Sequence, residues 1–308
     1  METQNPPRPW YKRLRYIIPI GLLVVLLVAA LVPVPPGPPE TRDQVALNRT
    51  IAYFADNYNV TTGLIPETPG SHAYWLYSDN YLATLAVARY SADNQSTGGF
   101  ASALEAALGG YLATLPAPLG QNQYQALNST RGYFDCSAAY TVSWSTGGSS
   151  APGNGSAIVR TTANDQSPAC AGQNYADLLF LQAVYYHRAG SVSQGLALYR
   201  QGAADFDGAG MRDVPFGEAA SGSYGQYQTY KLALYLYAGT CLGQQSSDPN
   251  YPKLLPILLH QQDNSTGGFD TFYTGLANAR NPGAGANTET TALAALALEL
   301  VISPSGTC

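Results

Sequence analysis

The chain has 308 residues, 45% hydrophobic and 11% charged, with a formal net charge of −5. This composition excludes a disordered chain, which lacks the apolar side chains needed to offset the entropy of ordering, and it allows a large core. Four of the fifteen cations, Arg8, Lys12, Arg13 and Arg15, lie in the first fifteen positions with one acid, Glu2; the remainder carries 11 cations against 19 acids, which argues against nucleic acid as a partner.

After the basic tail 1–15 comes "IIPIGLLVVLLVAALVPV", Ile17 to Val34, eighteen residues without a charge. As a helix it would be about 27 Å long, close to the hydrocarbon thickness of a bilayer. Residues 16–34 are therefore expected to form a transmembrane signal anchor whose partner is the lipid bilayer. The positive-inside rule places the tail in the cytoplasm and the C-terminal domain outside, as a single-pass protein of the cell membrane. The alternative is a signal peptide cut near Val28-Ala29-Ala30, which would release a secreted protein. Residues 35–40, "PPGPPE", read as a stiff extended linker, and the domain 41–308 follows.

Helical periodicity begins in "RDQVALNRTIAYFADNY", where Leu47, Ile51, Phe54 and Tyr58 share one face and Asn48 lies opposite. "SDNYLATLAVARY", Ser78 to Tyr90, is apolar nearly all round, as in a helix packed on several sides. "FASALEAALGGYLATL" from Phe100 is amphipathic, "NYADLLFLQAVYYHRAG" from Asn174 apolar, and "SVSQGLALYRQGAA" from Ser191 mixed. "YQTYKLALYLYAG" from Tyr227 is apolar with one lysine. "DPNYPKLLPILLHQQ" from Asp248 carries a proline near its first turn, and "NTETTALAALALELVI", Asn287 to Ile302, is the most uniformly apolar. Wet and dry helices thus alternate four times. This predicts a mainly α domain of about four helical hairpins, with dry helices inside, wet ones outside, and a glycine turn and long loop leading from each outer helix to the next inner one.

Two near copies, "DNQSTGGF" at 93–100 and "DNSTGGF" at 263–269, occupy different places in this order, so they read as shared turn chemistry, and the helix pair is the repeat. Residues 116–172 form a long insertion with alternating "YTVSW" and "AIVRTT" around a Gly/Ser-rich tip, predicting a β-hairpin closed by a disulfide. Four cysteines, Cys136, Cys170, Cys241 and Cys308, follow the membrane segment, which fits an oxidising compartment. Three pairings are open; Cys136 with Cys170 and Cys241 with Cys308 is favoured because the first closes a local excursion and the second ties the C-terminus to a helix end. Six Asn-x-Ser/Thr sequons, at Asn48, Asn59, Asn94, Asn128, Asn154 and Asn264, suggest N-glycosylation, against the plain alternative that these residues crowd together in loops.

If the inner helices run parallel, their N-termini and the long loops meet on one rim, where free N–H groups favour acceptors. At those starts stand Ser78, Asp79 and Asn80; Asn174 and Asp177; Thr229, Tyr230 and Lys231; and Asn287, Thr288 and Glu289. Each is also an ordinary capping or first-turn residue, so capping competes with function at every one. Asp79 and Glu289 gain weight from the aromatic loops "SHAYWLYS", with Tyr74 and Trp75, and "GFDTFYT", with Asp270 and Phe272, because rings beside carboxylates suit sugar stacking. Lys231, in an apolar helix, should either lie near the cavity mouth or pair with an acid such as Asp177 or Glu289. No metal or cofactor is expected: "DFDGAGMRD" lacks EF-hand spacing, there is no Cys-x-x-Cys, and His72, His187 and His260 are scattered.

On "QQDNSTGGFDTFYT" followed by "NTETTALAALALEL", on "YWLYSDNYLATLAV" and on "GQYQTYKLALYLYAG", the sequence resembles the (α/α) toroid proteins over residues 41 to 302. That broad group includes six-hairpin glycosidases, some polysaccharide lyases, and the terpene cyclase and prenyltransferase-like toroids. The resemblance implies a toroid or partial toroid with a cleft at the ring mouth and, as in its glycosidases, a pair of acids, best matched by Asp79 and Glu289. The chain departs from the group in having four hairpins instead of six, no Asp-x-Asp-Asp motif and no zinc ligands, which argues against cyclase and prenyltransferase chemistry. The expected function is glycan binding or processing at the cell surface, as a glycoside hydrolase or polysaccharide lyase with Glu289 as acid and Asp79 as base or nucleophile. Tyr74, Trp75, Asn80, Asp177, Tyr230, Lys231, Asp270, Phe272 and Asn287 would contact substrate. The alternatives are a noncatalytic glycan- or peptide-binding ectodomain and a structural protein of the cell envelope.

Overall fold

The structure, a computed structural model, describes residues 40–71, 75–93, 98–112, 123–129, 143–148, 157–162, 175–219, 224–274, 284–303 and 308. The basic tail, the expected anchor 16–34, nearly all of the linker, Tyr74, Cys136, Cys170, Asn94 and Asn154 lie outside the described residues. Among those described, no helix is long and apolar enough to cross a membrane.

The fold is mainly helical. In chain order the elements are α1 (Arg42–Asn57), β1 (Trp75–Leu76), α2 (Tyr77–Asp93), α3 (Gly98–Leu112), a 3-10 helix (Gln123–Leu127), β2 (Ser143–Gly148), β3 (Ala157–Thr162), α4 (Ala176–Arg188), α5 (Val192–Ala203), α6 (Val214–Gly217), β4 (Tyr227–Gln228), α7 (Thr229–Cys241), α8 (Tyr251–His260), β5 (Phe272–Tyr273) and α9 (Thr288–Ile302).

The helices that read as dry are the buried ones. In α7 every residue from Leu232 to Thr240 is buried, and in α9 only Glu289 and Glu299 break the buried run from Thr288 to Leu300. Covering a leucine side chain contributes about 1.5–3 kcal/mol, so the leucines of these two helices are a large part of what holds the core. The buried helices stand in a row, α2 against α9, α9 against α7, and α7 against α4. An amphipathic helix flanks each: α3 on α2, α5 on α4, α8 on α7 and α1 on α9. The last pairing joins the first helix of the domain to its last. Cys241, at the end of α7, forms a disulfide with Cys308.

The two ends of the row are tied by the 3-10 helix. The carbonyl of Leu127 accepts from Arg89 Nη2 of α2 at 2.9 Å, from Arg188 Nη2 of α4 at 2.7 Å, and from the Tyr237 hydroxyl of α7 at 3.0 Å. Tyr124, Ala126 and Leu127 of this short segment are all buried. Among the described residues of the insertion, Ser143–Gly148 and Ala157–Thr162 form an antiparallel pair, β2 with β3; Tyr140 to Val142 of "YTVSW" lie outside the described residues. β3 also pairs in parallel with β1, immediately before α2, so the hairpin is fastened to the start of an inner helix.

Three of the outer helices, α1, α5 and α8, end in the same device. An isolated bridge closes a loop at Asn59 with Leu64, Phe206 with Met211, and Gln262 with Phe269. Each loop contains a glycine at positive φ: Gly63, Gly208 and Gly267. The "DNSTGGF" segment is one of these turns, whereas Gly98 and Gly99 of its near copy begin α3, so the two are not equivalent.

Gly267 requires the absence of a side chain twice over. Its φ is +82°, and a Cβ there would lie 2.1 Å from the Arg49 carbonyl oxygen of α1. Gln262 Nε2 fixes the same contact by donating to Ala46 O at 2.8 Å and to Gly267 O at 3.0 Å. Gly267→Ala is expected to lower the urea unfolding free energy by more than the roughly 1–2 kcal/mol of left-handed backbone alone. Gly285→Ala, at φ +63° with open space around it, should lose only that backbone contribution; equal losses in both variants would contradict the packing at Arg49.

Candidate functional site

The loop after α1 does most of the assembly. Asn80, buried in the first turn of α2, accepts from the Ile65 amide at 2.8 Å and donates to Ile65 O at 2.9 Å and Leu76 O at 3.0 Å. Two residues further on, Glu67 O accepts from the Thr288 amide at 2.8 Å and Pro66 O from the Thr288 hydroxyl at 2.6 Å. One strand of backbone therefore bridges the starts of α2 and α9. It brings Asp79, the third residue of α2, and Glu289, the second of α9, within range of each other's charge and of the charge of Glu67.

The other two inner helices begin at the same end. Lys231, in the first turn of α7, lies 2.5 Å from Asp213 Oδ2 and 3.8 Å from Asp177 Oδ1 in the first turn of α4. Asp213 also accepts from the Ala176 amide at 3.0 Å, so it caps α4, whose own N-cap residue, Tyr175, makes no side-chain capping bond. The Tyr230 hydroxyl sits 3.4 Å from Asp177 Oδ2 and 3.3 Å from Gln228 Oε1. Asp177 in turn acts electrostatically on Glu289. The segments before α7 and α9 are also joined, since Thr271 O accepts from the Thr229 amide and the Thr271 amide donates to Gly285 O, so all four buried helices start at one end of the domain.

Burial pushes the carboxyl of Asp79 well above the usual carboxylate range, and the charges of Glu289 and Glu67 push it further in that direction; only a hydrogen bond from Ser78 opposes. Asp79 is 1% exposed, and its Oδ2 has no hydrogen-bond partner. Glu289 is half-buried. Its carboxyl is also raised by burial, but the Tyr124 hydroxyl, reaching in from the 3-10 helix, donates to Oε1 and works the other way, while Asp177 and Glu67 raise it. Tyr124 is itself buried, and burial together with the Glu289 charge holds its phenol well above the ordinary tyrosine value, so it stays a donor. Asp177 is raised by desolvation and lowered mainly by Lys231.

The expected site residues fall in different places. Asp79, Glu289, Asp177, Tyr230 and Lys231 come together. Asn80 spends its amide on Ile65 and Leu76, Asn287 caps α9 by accepting from the Thr290 amide at 2.9 Å, and Trp75 is buried with Leu64, Tyr77, Ala107 and Leu108. These three act in the scaffold. Asp270 is buried and its main chain bridges to Ala286, while Phe272 is half-buried in β5. Among the described sequons Asn128 and Asn264 are exposed; Asn59 Oδ1 accepts from the amides of Thr61 and Thr62, forming a tight turn, and Asn48 accepts from Gln44 and Tyr90.

Lys231 pairs most closely with Asp213, which sequence reasoning passed over along with Glu67 and Tyr124. Asp213 precedes Val-Pro and looks like a local helix cap, and nothing in "NQYQAL" marks Tyr124. Among the described residues no cluster of His, Cys, Asp or Glu is arranged to hold a metal ion. Comparison with protein-family models, curated proteins and solved structures finds no match to this chain.

Removing Lys231 leaves Asp213 buried without its cation. Lys231→Met is expected to destabilise the fold by about 3–5 kcal/mol, read by urea denaturation; a loss below about 1 kcal/mol would contradict a buried pair. The sign for Asp79 is opposite. A carboxyl raised on folding above its unfolded value of about 3.9 binds its proton more tightly in the folded state, so its contribution is most favourable below that pH and declines as pH rises toward the folded value. Relative to wild type, Asp79→Asn should therefore gain stability as pH climbs from 4 to 8, and a gain that does not change with pH would contradict the burial of a titrating group.

Proposed function

We propose that the chain is a membrane-anchored, extracytoplasmic (α/α) toroid protein that processes glycans, as a glycoside hydrolase or polysaccharide lyase, with Asp79 and Glu289 as its acid pair. The observation that carries this reading is the pair itself: two carboxyls in the first turns of α2 and α9, whose starts are bonded to one loop, each within reach of the other's charge and with no cation within ion-pair distance of either among the described residues. Carboxyl pairs whose environments separate their proton affinities are the working parts of acid–base glycan chemistry. The alternation of buried and flanking helices supports the toroid, and the disulfide and exposed sequons suit a glycosylated domain outside the cytoplasm.

The environments favour roles opposite to those expected from sequence. Asp79, without a donor on Oδ2, is the proton carrier. Glu289, half-buried and stabilised as an anion by Tyr124, is the base or nucleophile. Proton transfer of this kind contributes about 10²–10⁴-fold to rate. A second reading, a noncatalytic glycan-binding or structural ectodomain, is favoured by one observation, that buried Tyr124 already occupies a place against Glu289.

Incubating the full-length chain with a panel of polysaccharides separates the two. The expected outcome is turnover of at least one polymer, reduced at least about 100-fold in Asp79→Asn and in Glu289→Gln. Undiminished turnover in both variants would remove the pair from catalysis, and binding without turnover in the wild type would favour the second reading.

A further inference from the structure

The insertion between α3 and α4 contributes a part to the rim. At one end of its 3-10 helix Leu127 O is held by Arg89, Arg188 and Tyr237, donors from three inner helices. Arg89 also donates to the Tyr237 hydroxyl at 3.0 Å. Arg89 and Arg188 form no ion pair among the described residues, so their guanidinium groups serve the backbone of this turn. Three residues earlier in the same turn, Tyr124 is 3% exposed and places its hydroxyl on Glu289 Oε1, 165 positions away in sequence. A latched backbone and a buried ring leave that hydroxyl little freedom.

We propose that Tyr124 is a positioning residue that fixes the Glu289 carboxylate and thereby keeps the proton of the pair on Asp79. Two carboxyls that feel each other's charge ionise one after the other, because ionising both sets like charges against each other. The proton goes to the member whose anion is less well solvated. Glu289 receives a hydrogen bond from a phenol; Asp79 receives one, longer, from the Ser78 hydroxyl at 3.2 Å, and its second oxygen receives none. Of the other groups that act on Glu289, Asp79, Glu67 and Asp177 disfavour its charge, and Tyr230 feels that charge without being a donor to it. Tyr124 is thus the donor that decides the division. The insertion is expected to matter for the site through this one hydroxyl.

The inference rests on the acid-pair reading of the rim, and its test needs no substrate. Infrared carboxyl absorption of the full-length chain is followed against pH in the wild type, Asp79→Asn, Glu289→Gln and Tyr124→Phe. The expected result is a buried protonated carboxyl at neutral pH that disappears in Asp79→Asn and persists in Glu289→Gln. In Tyr124→Phe the Glu289 titration should move to higher pH while the far-ultraviolet dichroism stays unchanged. Arg188→Gln, which loosens the latch without touching the ring, should move the same titration in the same direction and covers the case in which Tyr124→Phe misfolds. An unmoved Glu289 titration in a folded Tyr124→Phe or Arg188→Gln chain, or a neutral-pH band that vanishes in Glu289→Gln and survives in Asp79→Asn, would overturn the proposal. Failure to turn over any polysaccharide would bear on the glycan reading alone, since the infrared result is independent of it.

Discussion

Three consecutive residues, Ile65 to Glu67, carry the geometry of the site because their backbone groups are bonded by residues at the starts of two different helices. Asn80 supplies one donor and one acceptor to Ile65, and Thr288 donates twice, to Pro66 and to Glu67. A backbone amide buried without a partner costs about 1–3 kcal/mol, so these bonds are strongly specified. Breaking either set would free the starts of α2 and α9 from a common reference, and with them the spacing of Asp79 and Glu289. The acid pair is a consequence of how the loop is satisfied.

Charge here is uncompensated in one half and partly compensated in the other. On the α4–α7 side Lys231 neutralises Asp213 and attracts Asp177, and Asp213 doubles as the cap of α4. On the α2–α9 side, Asp79 and Glu289 share their surroundings with Glu67. The partial positive charge of a helix N-terminus favours an anion by about 0.3–1 kcal/mol and so opposes desolvation and the like charges only in part, and both carboxyls remain raised.

How much of this was legible in the sequence follows from the range over which each interaction acts. The alternation of wet and dry helices is written locally, at a spacing of three and four residues, and the structure bears it out from α1 to α9. So is the first-turn position of Asp79, Asp177 and Glu289. The pairing of each inner helix with the outer helix that follows it, and of α9 with α1, depends on tertiary packing and left no local signal. Tyr124 was hidden because its partner lies on the last helix and its own segment is too short to show a period. Asn80 and Trp75 were ambiguous for a related reason: a polar amide and an aromatic ring near a helix start suit a ligand as well as a scaffold, and the hydrogen bonds of the first and the burial of the second are set by residues distant in sequence.

The account stands on the proximity of Asp79 to Glu289, and carbon-detected nuclear magnetic resonance of side-chain carboxyls observes it directly. The titration of Asp79 is measured in the wild type and after Glu289→Gln, which removes the neighbouring charge and keeps the shape. A fall of the Asp79 midpoint toward the ordinary carboxylate range is the result predicted by a coupled pair on one rim. An Asp79 titration that does not respond to the substitution would show that the two carboxyls stand apart, and would contradict the arrangement of the inner helices on which the site depends.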